Sequence, residues 1–320
     1  MTSTSPLRCH TPRRRVGDRR VATVVSFVLV LLASSGCSIK KFAINKLGDS
    51  LAETGTVYAA DNDIELVGGA LPFSLKLVEG LLASTPKHQG LLFTAASGFT
   101  QYAYVYVQQE ADFVEGDSLA KATELRARAQ RLYLRARDYG LRGLDGRHAG
   151  FSEQLKTDSS KAARSAAKAD VPLLYWTAAA WGSAIALSKE NPALIADQPV
   201  VETLIDRAFA LDPDFDAGAI HGFLITYELS RQGATGDPLA RSRSHFDRAV
   251  ALTKGQLASP FLSLAEGVSV QSQNREEFRS LVKRALAVDP DARPEWRLQN
   301  LVLQRRARWL TAHEDDLFAN

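Results

Sequence analysis

A seven-residue block occurs twice in this chain, as Arg207-Ala208-Phe209-Ala210-Leu211-Asp212-Pro213 and as Arg284-Ala285-Leu286-Ala287-Val288-Asp289-Pro290. Arg248-Ala249-Val250-Ala251-Leu252 is a weaker copy without the Asp-Pro ending, and Arg135-Ala136 fits as a fourth. The alanines stand 72, 41 and 36 residues apart, and 72 is twice 36. Alanine at the repeated position lets two helices approach closely. Asp-Pro stops the helix that precedes it, because proline lacks the donor and clashes with the previous turn. Alanine-rich helices also produce chance matches, but two full copies and a partial one favour true repetition.

A spacing a little above 34 residues is that of a helix–turn–helix repeat of tetratricopeptide type. The chain is therefore read as all-α, with helix pairs that bury their apolar faces only against neighbours and wind into a superhelical array with a concave surface. Helical periodicity supports this, as in Leu204, Ile205, Ala208, Phe209 and Leu211, and gives about ten or eleven helices. Start signals recur. Asp170 precedes Val171-Pro172, while Asp237-Pro238 and Ser259-Pro260 place proline at the first helical position. Asn274 with Glu277 reads as a capping box. Tyr102 to Val107 alternates like a strand, yet Phe99, Tyr102 and Tyr106 share a helical face, so helix is the expectation there. Gly143 to Ala169 reads as the most loop-like internal stretch, joining an N-terminal helical half to the repeat-bearing half. Arg231 to Asp237 reads as a shorter loop.

The N-terminus carries a different signal. Six arginines precede Val21, an apolar run extends from Val21 to Ala33, and Ser34-Ser35-Gly36 leads into Cys37. This order of basic, apolar and small residues before a cysteine is that of a lipoprotein signal. The run is too short for a spanning helix, which needs about 20 apolar residues. Ser34 stands where leucine is usual. Residues 1–36 are thus expected to be a signal peptide, 37–60 a lipidated tether with a first helix, and 61–320 one repeat domain, with Cys37 acylated. Six arginines against Asp18 give the signal a charge of +5, so the chain's net +3 becomes −2 without it. That removes the argument for a nucleic-acid partner. The other cysteine is Cys9, so no disulfide is expected in the mature chain. Ser38 offers no charge for inner-membrane retention, which favours the outer membrane.

Sequence motifs for catalysis are lacking. There is no P-loop and no G-x-G-x-x-G, Trp181-Gly182-Ser183 is no nucleophile elbow, and no histidine stands in metal-ligand spacing. No cofactor, metal or enzymatic activity is expected. An enzyme on such an array would need an acid of perturbed pKa in a cleft. Several helices mix aromatic and charged residues into apolar runs, namely Tyr175, Trp176 and Trp181, and Arg305, Arg306 and Arg308. These are either core and surface, or the lining of a groove.

Four further blocks stand out: Ala96-Ser97-Gly98-Phe99-Thr100-Gln101-Tyr102-Ala103-Tyr104 with Gln108-Gln109-Glu110-Ala111-Asp112, Leu132 to Gly140, Gly218-Ala219-Ile220-His221, and Pro294 to Leu298 with Gln304 to Leu310. In these blocks the chain resembles the TatT family, the T component of TRAP transporters. The resemblance implies a tetratricopeptide-like periplasmic lipoprotein, a homotrimer with a channel through each protomer. It implies docking of a TRAP substrate-binding protein and handling of a hydrophobic or small organic ligand. His221, Tyr227, Glu228, Trp296 and Arg297 lie in or beside the matching blocks and are the candidate channel or docking residues. The alternative is a scaffold lipoprotein of outer-membrane or cell-wall assembly, which the same repeats would serve.

Overall fold

A computed structural model describes Lys46 and residues 55–231 and 234–319 of the chain. The signal segment 1–36, Cys37 and most of the tether lie outside the described residues. Every regular element among the described residues is helical. In order they are α1 (Gly55–Ala59), α2 (Ile64–Ser84), α3 (Gln89–Ala103), α4 (Gln109–Val114), α5 (Leu119–Arg147), α6 (Phe151–Thr157) and α7 (Ser159–Ser165). Next come α8 (Val171–Ala186), α9 (Pro192–Ile195), α10 (Gln198–Leu211), α11 (Phe215–Tyr227), α12 (Pro238–Thr253), α13 (Ser259–Leu264), α14 (Arg275–Leu286), α15 (Arg297–Ala312) and α16 (Glu314–Leu317). Sixteen α-helical stretches exceed the expected ten or eleven because several are one or two turns long, too short to show a period.

The repeated block falls on alternate helices, α10, α12 and α14, and its alanines do the same work in each. Ala208, Ala249 and Ala285 are buried, and α11 comes so close to α12 that a Cβ on Gly218 would lie 3.4 Å from the Ala249 Cα. The fourth copy differs: Ala136 is equally buried but sits in mid-helix, where nothing stops α5. Neighbours stack in sequence, α3 on α5, α5 on α8, α8 on α10, α11 on α12 and α13 on α14, and α15 closes on α14. The last long helix also reaches the first ones. Arg297 donates to the Ala60 carbonyl at 2.8 Å and Arg305 pairs with Glu65 at 3.2 Å.

The expected loop from Gly143 to Ala169 is not one. Gly143 lies inside α5, and two short helices, α6 and α7, fill most of the stretch between α5 and Ala169. The glycines are there for contact: a Cβ on Gly140 would overlap the Thr177 hydroxyl of α8, and one on Gly143 would lie 2.9 Å from Leu173. Asp145 then holds the turn by accepting from the Ser152 amide and hydroxyl, at 2.8 and 2.6 Å. The described residues of the Arg231–Asp237 stretch are non-helical.

The start signals place helices correctly but not always their hydrogen bonds. Asp237 caps α12 through the Leu239 amide at 3.0 Å. Asp170 precedes α8 but turns its carboxylate away, toward the Ala167 amide, Arg147 and His148. Ser259 is itself helical, one residue later than a cap would be. Asn274 accepts from the Glu277 amide at 3.1 Å, while the Glu277 carboxylate leaves the box for Arg243 and Ser269. Tyr102 to Val107 is helical, with a π turn at Tyr104–Gln108 linking α3 to α4.

Candidate functional site

Two π turns face the interior. The first is Tyr104–Gln108, and the second, Ala265–Ser269, extends α13. A π turn inserts one residue and redirects those around it, and such turns concentrate at functional sites. Here the two turns and α15 assemble a charge cluster. Arg306 donates to Asp112 at 2.9 Å and, from two nitrogens, to Glu266 at 2.7 and 3.1 Å. Arg126 of α5 approaches the other Asp112 oxygen at 3.1 Å. Gly267, inside the second turn, has no room for a Cβ because the Thr226 methyl would lie 2.7 Å from it. The close approach of α11 at that point fixes where Glu266 projects.

Around this cluster stand polar groups from four helices or turns. Tyr133 of α5 donates to Gln108 at 2.6 Å. Gln109 is 1% exposed and sits beside the Tyr104 hydroxyl, yet neither of its amide atoms has a partner at full hydrogen-bond geometry. Trp309 packs at a tilt against Phe113 with centroids 5.7 Å apart, and Arg306 lies over its ring at 4.5 Å.

Some side chains are open to solvent and desolvated at once. Tyr104 is 38% exposed, but burial of its hydroxyl, followed by the nearby Glu266, pushes its pKa to about 12. Half-buried Tyr175 is raised by burial and then by Asp216. Asp216 is exposed, and desolvation alone lifts its carboxyl above the usual range.

The candidate residues from sequence divide into separate places. His221 and His245 meet Nδ1 to Nδ1 at 2.8 Å between α11 and α12, with Phe209 edge-on to both rings. Burial, then the neighbouring His245, pulls the His221 pKa down to about 4, so the pair is neutral at pH 7. Glu228 is buried and receives Arg241 at 2.6 Å and Arg231 at 3.4 Å. Tyr227 stacks on Phe223 and reaches Glu202 at 3.4 Å. Trp296 and Arg297 lie elsewhere, where Arg293 covers the indole and Arg297 ties to Ala60 and Asp291. No hydrogen bond or ion pair joins the two groups among the described residues. Of the mixed helices, Trp181 is core, Arg308 is surface, and Arg305 and Arg306 turn inward. The π turns, Gln109, Glu266 and Asp216 were missed; a glycine two residues after Asp216 and another next to Glu266 were the local signals.

A family model described as TRAP transporter T-component matches residues 60–318. An uncharacterized protein of Treponema pallidum (strain Nichols) is 27% identical over 305 residues, covering 90% of this chain and 94% of that protein.

Proposed function

Because the chain belongs to the TRAP transporter T-component family, we propose that it is a lipid-anchored periplasmic accessory of a TRAP-type uptake system. It docks a periplasmic substrate-binding protein and channels a hydrophobic or small organic ligand. The observation that carries this reading is the match of the T-component family model to residues 60–318, nearly the whole of the described chain. Such a role uses binding and positioning, with no bond made or broken. Cys37 carries the acyl chains, and the outer membrane holds them.

The protein acts as a homotrimer in this reading. Helix α2 supplies a surface for a second copy. It is long and apolar enough to cross a membrane by length and composition, but Val67, Leu75, Val78 and Leu82 are buried against its neighbours. Its other face leaves Leu66 and Phe73 63% and 74% exposed, with Leu77 in line. Exposed apolar stripes of this kind mark protein interfaces.

The test is gentle crosslinking of the tagged lipoprotein in its own envelope, followed by identification of what co-purifies. Recovery of a periplasmic solute-binding protein is the expected result. Recovery of envelope-assembly proteins alone sinks the transport reading in favour of a scaffold role. A Cys37→Ser variant is expected to move from the membrane to the soluble fraction.

A further inference from the structure

Arginine recurs along one face of α5. Arg128, Arg131, Arg135 and Arg142 are all exposed, and helical geometry places them within about 60° of one another around the axis, over a length of about 21 Å. The opposite face, with Ala129, Tyr133, Ala136 and Gly140, is buried against α3 and α8. The stripe is therefore the outward side of a helix that the fold holds in place.

Its guanidinium groups are positioned but not used up. Arg128 lies over the Tyr102 ring at 5.8 Å, Arg135 over Phe99 at 5.4 Å and Arg142 over Tyr139 at 5.1 Å. Phe99 and Tyr139 stack on each other with centroids 6.0 Å apart, so the rings form a platform beneath the charges. Each guanidinium offers five N–H donors. Arg128 gives one to the Tyr102 hydroxyl and Arg142 one to the Pro86 carbonyl, both at 3.2 Å. Arg131 makes no hydrogen bond or ion pair among the described residues. The nearby carboxylates are committed elsewhere. Glu79 receives Lys76 and Tyr139, at 2.5 and 2.8 Å, and leaves Arg135 3.5 Å away. Asp138 is taken by Arg137 at 2.8 Å. Between the arginines runs an open groove of about 390 Å³, lined by Arg131, Leu134, Arg135, Asp138, Tyr139 and Arg142. Residues 37–320 together carry a net charge of −2, so this face is a local concentration of positive charge.

We propose that the arginine stripe of α5 is a docking surface for an acidic face of a partner protein, whose carboxylates enter the groove between Arg131, Arg135 and Arg142. Charge complementarity names the partner's chemistry. Arginine forks pair with carboxylates through two parallel bonds, and a stripe of about 21 Å meets several carboxylates where a small anion would meet one or two arginines. Planar groups already laid on rings lose little freedom when they bind. A bilayer fits less well, because surface binding to lipid needs an apolar flank to insert. The leucines beside the stripe, Leu132, Leu134 and Leu141, are packed against the core instead.

The inference rests on the reading of the protein as a docking component, and it says which face docks and what chemistry it meets. It is tested first in the envelope crosslinking experiment, with the full-length tagged lipoprotein. Arg131→Glu combined with Arg135→Glu is expected to lower recovery of the solute-binding protein at least about tenfold. Arg308→Glu, an exposed arginine of α15 outside the stripe, should leave recovery unchanged. A second measurement uses the lipoprotein purified in detergent and a fluorescent decaglutamate peptide. Binding should weaken at least about tenfold in about 0.5 M salt and vanish in the double variant, with the fold intact by circular dichroism. Recovery that the double variant leaves unchanged, or that Arg308→Glu lowers equally, overturns the proposal. So does stripe-dependent binding of phosphatidylglycerol vesicles without binding of decaglutamate. Should the double variant not fold, Arg131→Glu alone, which breaks no internal contact, decides in its place. Stripe-dependent decaglutamate binding without capture of a solute-binding protein would uphold the acidic docking face and sink the transport reading. Capture that ignores the stripe would do the reverse.

Discussion

At the Arg306 corner, two carboxylates, Asp112 and Glu266, share one buried guanidinium, with Arg126 in support. At the Asp216 corner, an exposed carboxylate on a left-handed turn makes no hydrogen bond or ion pair among the described residues. The first corner is buried and its charges are paired within the chain, so they serve the fold. The second is open to solvent, which can meet its charge. Helix α8 connects them, since it carries Tyr175 at one end and Ser183, beside Tyr133, at the other.

The contrast can be broken most strongly at Arg306. Arg306→Met keeps the bulk and removes the charge, leaving Glu266 without its guanidinium and Asp112 with only Arg126. A loss of about 3–5 kcal/mol is expected in chemical denaturation, the usual cost of breaking a buried pair. A loss below about 1 kcal/mol would show that the corner is not structural. Next in size is Gly140→Ala, which drives a methyl into Thr177 and pushes α8 off α5. It should cost about 1–3 kcal/mol, read as a lower Tm.

A smaller effect comes from the histidine pair, which is partnered but uncharged. The folded His221 has its pKa lowered from 6.5 to about 4, so the unfolded chain binds the proton first. Its contribution is therefore full above pH 6.5 and is lost as pH falls toward about 4. The slope of Tm against pH over that window should flatten in His221→Gln. The smallest effect is expected at Asp216→Asn. Removing an unpaired charge takes away no internal bond, so stability should stay within about 0.5 kcal/mol or rise slightly. A large loss there would mean that Asp216 has a partner within the fold, and the two corners would then be alike.

Helix type, most helix starts and the spacing of Ala208, Ala249 and Ala285 were legible in the sequence because they depend on residues close in the chain. The candidate site was legible only in part. Tyr175, Trp176, Arg305 and Arg306 stand out as polar or aromatic residues within apolar helices, but their exposure depends on which helices surround them. Gly143 misled, since glycine marks close packing as well as loops. The Arg306 partners could not be read at all: Asp112 is 194 residues away and Glu266 is 40. The π turns and the left-handed turn at Asp216 are local choices that tertiary contacts impose against the local preference.

The contacts of α15 with Ala60, Glu65 and Asp112 span 237, 240 and 194 residues. Segments so far apart in the chain find each other slowly, because the entropy of closing so long a loop is met before the contacts reward it. As the polypeptide leaves the ribosome, α2 and the first π turn wait for a helix that is made long after them. The nascent protein therefore remains unfinished until that helix arrives. A truncation that removes α15 would leave the N-terminal helices without the partner that holds them.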